Sequence, residues 1–338
     1  MIARHSVIAH AAYNDLLTSL REEAVAAIRG APTRLERNGR GYWYDTYRVG
    51  SDVKKTYIGE DGPALREQMQ RIAALREDRD ARRRKRARLI RILRAEGFLG
   101  VDAATGGLLN ALASAGVFRL GGTIVGTQAF RLYEGELGVR LPFDQTAQTD
   151  DIDIASFERL SIALNDIVSE PLAKVLQDFS FAPAPSLDNG KTWRWRQTKN
   201  ETLVEFLTPS FSAEELRPLP ALGVHAQSLR YLNYLLAEPI RAAANYRDGV
   251  LVQIPRPERF AVHKLIVADR RLDGSDSLKA IKDRLQAAFL ISILATDRPD
   301  DLRDAFEDAM SRGKRWRERI LASVEKMSDI QPTLKDFL

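Results

Sequence analysis

Cysteine is absent from the 338 residues of this chain, which excludes disulfides and thiolate metal sites. That absence fits a reducing compartment. Histidine is scarce, with four residues, so carboxylates are the metal ligands to consider. No apolar run approaches the roughly 20 residues that a membrane span needs. The opening Met1-Ile2-Ala3-Arg4-His5 leads into no uninterrupted apolar core with a small-residue cleavage site. The expectation is therefore a cytoplasmic protein without a membrane partner.

Net positive charge is also missing from most of the chain. Arg79 to Arg94 holds nine basic residues against one acid, Asp80, so this segment carries +8 and the rest of a +5 chain sums to −3. Charge gathered in this way suits a surface that meets a polyanion; a solvated helix face is the plainer alternative. Just upstream, Tyr42, Trp43, Tyr44 and Tyr47 are interleaved with Lys54 and Lys55. Aromatic faces among cations suit stacking on unpaired bases, although alternation assigns half of them to a small core of their own.

Helical spacing over 6–28 places Ile8, Ala12, Leu16, Leu20 and Ala24 on one stripe. A polar, glycine-bearing stretch from Gly30 to Gly41 interrupts it. Tyr42 to Val49 and Val53 to Ile58 form a hairpin around Gly50-Ser51-Asp52. Pro63 to Ala95 is one long charged helix. A composition shift at Gly97 to Gly100 marks a boundary. Beyond it come a small-residue helix, Ala103 to Ala115, a strand from Val117 to Val125 and a helix from Thr127. A loop from Gly138 to Gln148 precedes the acidic strand, and a helix over 156–179 follows it. Strands Thr192 to Gln197 and Thr202 to Leu207 come next, then a loop to Leu222. Two more strands lie near Pro239 to Ala243 and Val250 to Ile254. Helices are expected over Glu258 to Arg271, 276–296 and 299–327. The fold class is α/β (α+β), with a mixed sheet in 98–255, a hairpin and long helix in 1–97, and a helical domain in 256–338.

The run Thr149-Asp150-Asp151-Ile152-Asp153-Ile154 carries the chemistry. On a strand, Asp151 and Asp153 share one face while Ile152 and Ile154 take the other. Adjacent acids repel unless something positive lies between them, and Mg2+ prefers oxygen ligands. Alone, such a tripeptide marks a solvated turn as readily as a metal site. Two further features add weight. Glu205 sits in the apolar setting Leu203-Val204-Glu205-Phe206-Leu207, where an unpaired acid is costly. Gly126-Thr127 stands at a strand-to-helix turn, which permits close backbone approach and offers N–H groups to phosphate. Lys279, Lys282 and Asp283 have the spacing of a solvated helix face.

Val125-Gly126-Thr127, Asp151-Ile152-Asp153 and Val204-Glu205-Phe206 resemble the h-G-[GS/T], D-h-D and h-[DE]-h motifs of the DNA polymerase beta-like nucleotidyltransferase superfamily. Within it, the chain is similar to bacterial nucleotidyltransferase-fold proteins with toxin-like members. The likeness spans roughly 98–271, including Arg259-Phe260-Ala261-Val262-His263-Lys264-Leu265. The stretch between Gly126 and Asp151 is longer than the minimal pattern, and the third acid is Glu where many relatives have Asp. The resemblance implies that Asp151 and Asp153 hold Mg2+, two ions with Mn2+ as a substitute, and that Glu205 binds metal or accepts the proton of the attacking hydroxyl. It implies that Gly126, Thr127 and Lys264 contact the nucleoside triphosphate. The acceptor hydroxyl would belong to RNA, with a tRNA end first, or to a protein, and an antitoxin would be a partner of toxin-like members. Two other readings stay open: an inactive nucleic-acid-binding protein on this fold, and a small-molecule (aminoglycoside-like) nucleotidyltransferase.

Overall fold

The N-terminal helix α1 (Val7–Val25) and the long helix α2 (Pro63–Ala95) pair through a small apolar core. This computed structural model describes residues 2–25, 31–37, 39–49, 52–141, 151–157, 167–185, 190–198, 202–272, 277–335 and 337–338. Most of the expected loop over 138–148, together with Thr149 and Asp150, lies outside them. In α1 Ala12, Leu16 and Leu20 are buried as expected, joined by Ala9, Tyr13 and Leu17, whereas Ile8 is 66% exposed. Tyr13 anchors this face: its hydroxyl accepts the Ala243 N–H at 3.2 Å. Leu89, Ile90, Leu93 and Phe98 complete this core.

Between the two helices stands a three-stranded antiparallel sheet, β1 (Ala31–Arg37), β2 (Arg40–Val49) and β3 (Asp52–Glu60), not a lone hairpin. Its first strand occupies the stretch expected to be an interruption. Pro32 disguised it, since proline is tolerated on an edge strand. The basic segment of α2 is only partly a solvated face. Arg86 is buried, with its guanidinium 2.5 Å from Glu23 and 3.3 Å from Asp248. Arg79 pairs with Glu23, Arg83 with Asp248, and Arg82 with Asp78. Arg84, Lys85, Arg88, Arg91 and Arg94 remain exposed.

Helix α3 (Ala103–Ala115) opens on Asp102, whose carboxylate accepts the N–H groups of Ala104 and Thr105 at 3.0 and 2.9 Å. It ends on Gly116 in the left-handed conformation. The strand expected from Val117 is therefore short, because Val117 to Gly121 are turns closed by Val117 N–H to Leu112 and Gly122 N–H to Val117. What remains is β4 (Thr123–Val125), followed by α4 (Gly126–Leu137) and β5 (Ile152–Ala155). Of the helix expected over 156–179, the described part is helical only as α5 (Leu172–Asp178). Upstream, the Val168 and Ser169 N–H groups bond to Ala221 and Ala115, outside any helical pattern.

Strands β6 (Phe181–Pro183), β7 (Arg194–Gln197), β8 (Leu203–Pro209), β9 (Leu216–Leu219) and β10 (Val224–Leu229) complete a mixed sheet. Its order is β4-β5-β8-β10-β9, with β7 also on β8 and β6 on β7. Strands β5, β8 and β10 run parallel, while β4, β7 and β9 are antiparallel to their neighbours. Strand β9 falls in the expected loop before Leu222 and carries Pro218 on an edge. A short helix α6 (Leu232–Leu235) and the hairpin β11 (Ile240–Ala244) and β12 (Val250–Ile254) lead to the C-terminal helices. These are α7 (Pro257–Leu272), α8 (Ser277–Asp297), α9 (Pro299–Ser311), α10 (Lys314–Val324) and α11 (Gln331–Leu334). The single helix expected over 299–327 breaks at Gly313, with φ +124°.

The result is a mixed α+β fold. One apolar core joins Leu112, Ile154 and Phe206 to Phe260, Leu290, Phe306 and Leu334, so the C-terminal helices are seated on the sheet. Among the described residues no helix is long and apolar enough to cross a membrane.

Removing Arg86 takes away the buried guanidinium that lies between Glu23 and Asp248, whereas Arg88 is exposed. Chemical denaturation should show Arg86→Ala destabilised by about 2–4 kcal/mol, and Arg88→Ala changed by less than about 0.5 kcal/mol.

Candidate active site

Strand register assembles the site. Val125 of β4 is opposite Asp153 of β5, Asp153 is opposite Glu205 of β8, and Glu205 is opposite Arg194 of β7. Cross-strand partners share a face, so Asp153, Glu205 and Arg194 form one row. On the other face, Ile152, Ile154, Val204 and Phe206 are at most 1% exposed, which is how the alternation commits the acids to one side. Asp151 precedes the strand. It is exposed, and its Oδ1 accepts the Leu203 N–H at 2.9 Å, tying the start of β8 to the start of β5.

Gly126 has φ +66° and opens α4, and a Cβ there would run into the Asp153 carboxylate. Only glycine brings the helix start this close to the acid. The Thr127 hydroxyl accepts a hydrogen bond from the Gln286 amide at 3.3 Å. Lys264 lies on α7 and is buried; its Nζ is 2.5 Å from Asp283 Oδ1 and 5.2 Å from the Phe260 ring centroid. Arg271 reaches the other oxygen of Asp283 at 2.6 Å. The ammonium is thus committed to Asp283, and its charge still acts on Asp153.

Asp283 is not on a solvated face. It is 1% exposed and takes a place in the buried stripe Ala280, Ala287, Leu290 and Leu294 of α8. An acid at a core position of a helical stripe was the available signal for it. Arg194 and Arg271 were missed for a different reason: nothing in a one-dimensional pattern says which strand neighbours β8 or which turn of α7 faces α8. His263 is buried and kept neutral, its imidazole pushed down to about 3 by burial and then by Lys264.

The electrostatics follow from this crowding. Asp153 keeps a partly open surface, yet burial raises its carboxyl to about 7, with Glu205 and Asp151 adding to the rise and Lys264 and Arg271 opposing it. Glu205 is raised by burial, against the pull of Arg194 at 3.5 Å and of Lys279. Lys282 is pushed down by burial and by Lys264, while Asp151 pulls it up. Lys264, Arg271, Lys279, Lys282 and Arg194 therefore act on three mutually repelling acids.

Among the described residues, no group of three or more His, Cys, Asp or Glu is gathered so as to hold a metal ion as it stands. The donor chemistry nonetheless fits a hard cation. The candidates are all oxygen, their repulsion adds to the burial that raises Asp153, and the helix start at Gly126 lies directly against that carboxylate.

Two outcomes are expected. Gly126→Ala places a methyl against Asp153 at a left-handed φ and should cost about 1–3 kcal/mol of stability, read by denaturant titration. Asp153 holds its proton more tightly folded than its ordinary 3.8. Its contribution to stability is thus present at low pH and is lost as pH rises through about 7. Asp153→Asn should therefore melt higher than the wild type above neutral pH in the absence of divalent cations, the gap closing as pH falls.

The profile of a family described as Nucleotidyltransferase matches residues 103–311. A solved structure of an antigenic nucleotidyltransferase-like protein from Paracoccidioides brasiliensis is similar over 70% of this chain and 94% of its own, with 16% identity and a TM-score of 0.40. No curated protein matches. The matched span includes Gly126, Asp151, Asp153, Glu205, Lys264 and Asp283, and by that family match over residues 103–311 the chain belongs to the nucleotidyltransferase family.

Proposed function

We propose that the chain transfers a nucleoside monophosphate from a nucleoside triphosphate to an acceptor hydroxyl, with Asp151, Asp153 and Glu205 as the reacting acids. The observation that carries this reading is the register of Asp153 against Glu205 on adjacent parallel strands, beside a glycine-led helix start. Asp151, Asp153 and Glu205 would hold Mg2+, or Mn2+ in its place, and such ions stabilise the attacking and leaving oxygens of an in-line displacement. Glu205, raised by its burial, accepts the proton of the attacking hydroxyl. The hydroxyl oxygen bonds to the α-phosphorus, the bond to the β-phosphate oxygen breaks, and pyrophosphate leaves. The α4 start at Gly126 and Thr127 faces the phosphates with backbone N–H groups. Lys264 and Arg271, fixed by Asp283, supply positive potential beneath them, with Lys279 and Lys282 alongside.

The acceptor in this reading is an RNA end. The exposed basic side chains of α2 support it, since they lie outside the ion pairs that fasten that helix. A second reading, a fold that binds nucleic acid without chemistry, draws on the pairing of Glu205 with Arg194, which gives the acid a charged partner without any metal ion.

Incubation with each α-labelled triphosphate, Mg2+ and total RNA decides between them. Label should pass to RNA with the wild type, and Asp153→Asn should lower transfer at least about a hundredfold. Failure of the wild type to label RNA, protein or small acceptors would favour the second reading.

A further inference from the structure

Away from the acids, the break at Gly313 creates a second concave surface. The chain turns there with φ +124°, and Lys314, Arg315 and Trp316 start α10 facing the end of β10. Arg230 and Tyr231 close the opposite side. The resulting cavity of about 610 Å³ is lined by Arg230, Arg312, Lys314 and Arg315 with Phe211 and Trp316. An adjoining cavity of about 370 Å³ shares Arg230, Tyr231 and Arg315 and adds Arg270 and Arg319. The lining of the two holds a single acid, Glu214. Acids of the protein pair with four of these cations, Asp308 with Arg312, Asp269 with Arg319, Glu214 with Arg270 and Glu318 with Lys314, while Arg230 and Arg315 add positive charge beyond those pairs, a surplus that suits a polyanion.

The walls are aromatic and fixed in place. Tyr231 stands at φ +71°, a conformation that L residues adopt at a cost. Its ring meets Trp316 edge-on at 4.7 Å, with Arg270 over its own face at 5.6 Å and Arg312 over Trp316 at 5.4 Å. Phe211, at the rim, is 64% exposed. None of these groups belongs to the acid row. The link is α7, where Arg271 turns to Asp283 while its neighbour Arg270 turns to Glu214 in the trough.

We infer that this trough binds a single-stranded polynucleotide. Several cations in a continuous channel exceed what one phosphate group needs and match a run of phosphodiesters, while an exposed ring at the rim offers a face on which an unpaired base stacks. The inference deepens the proposed transfer by giving the acceptor strand a place, and in that respect rests on it. The binding itself needs no chemistry.

Fluorescence anisotropy with the full chain, without triphosphate or divalent cation, tests it. The probes are short labelled RNA and DNA single strands, the corresponding duplex, and heparin as a competitor without bases. Single strands should bind more tightly than duplex. Lys314→Gln with Arg315→Gln should weaken binding about tenfold or more and lower the salt slope by about 1.4, as two lost phosphate contacts require. Phe211→Ala should weaken single-strand binding at least about fivefold while heparin affinity stays unchanged. These side chains are exposed, and unchanged melting of the variants confirms folding. Wild-type affinity in the double variant would overturn the inference, as would equal affinity for heparin and single strands unaltered by Phe211→Ala. Loss of binding only on replacing Arg84, Arg88 and Arg91 of α2 would overturn it too. Retained binding beside failed transfer would sink the catalytic reading alone.

Discussion

Two carboxyl groups placed opposite each other on neighbouring strands are the constraint around which this molecule is arranged. Asp153 and Glu205 pair in register, and like charges so placed cost stability. The sheet tolerates them because their neighbours along each strand are fully buried apolar residues, which fix the register and thereby the face. The surroundings then answer the charge. Arg194 meets Glu205 from the next strand, while Lys264 and Arg271 act on Asp153 from α7. Burial still leaves the Asp153 carboxyl raised to about 7, the kind of shift that clusters at functional sites.

The second constraint is the position of the cations. Lys and Arg side chains lose considerable conformational freedom when fixed, and Asp283 fixes two of them at once. A buried acid bridging Lys264 and Arg271 joins α8 to α7, and Gln286, one turn further along α8, reaches Thr127. The helix that stiffens the positive wall thus also touches the start of α4. Packing extends the same logic outward: the C-terminal helices share the core of the sheet, so the acids and the helices that neutralise them form a common frame. At the other end, α1 and α2 are fastened by apolar contacts and by Arg86 between Glu23 and Asp248.

Much of this was legible in the sequence. Strand periodicity separated Asp153 from Ile152 and Ile154, and an acid inside an apolar strand singled out Glu205. The charged composition from Pro63 to Ala95 gave the bounds of α2. What could not be read was relational. Pro32 and Pro218 hid edge strands, since a propensity for turns says nothing of edge tolerance. Gly116 shortened the strand after α3, and Gly313 split a helix that its apolar spacing made continuous. Asp283 and Arg86 read as surface charges because a charged residue's partner lies far away in the chain. The trough around Arg230 and Arg315 depends on bringing β10 beside α10, which no local pattern encodes.

The acid row invites one decisive measurement, the melting of wild type and Asp153→Asn with and without Mg2+ at a pH above neutrality. If the acids are a cation site, Mg2+ raises the wild-type midpoint by relieving their repulsion and leaves the variant nearly unmoved. An equal response in both proteins, or none in either, would contradict the assignment of Asp153 and Glu205 to metal-assisted nucleotidyl transfer.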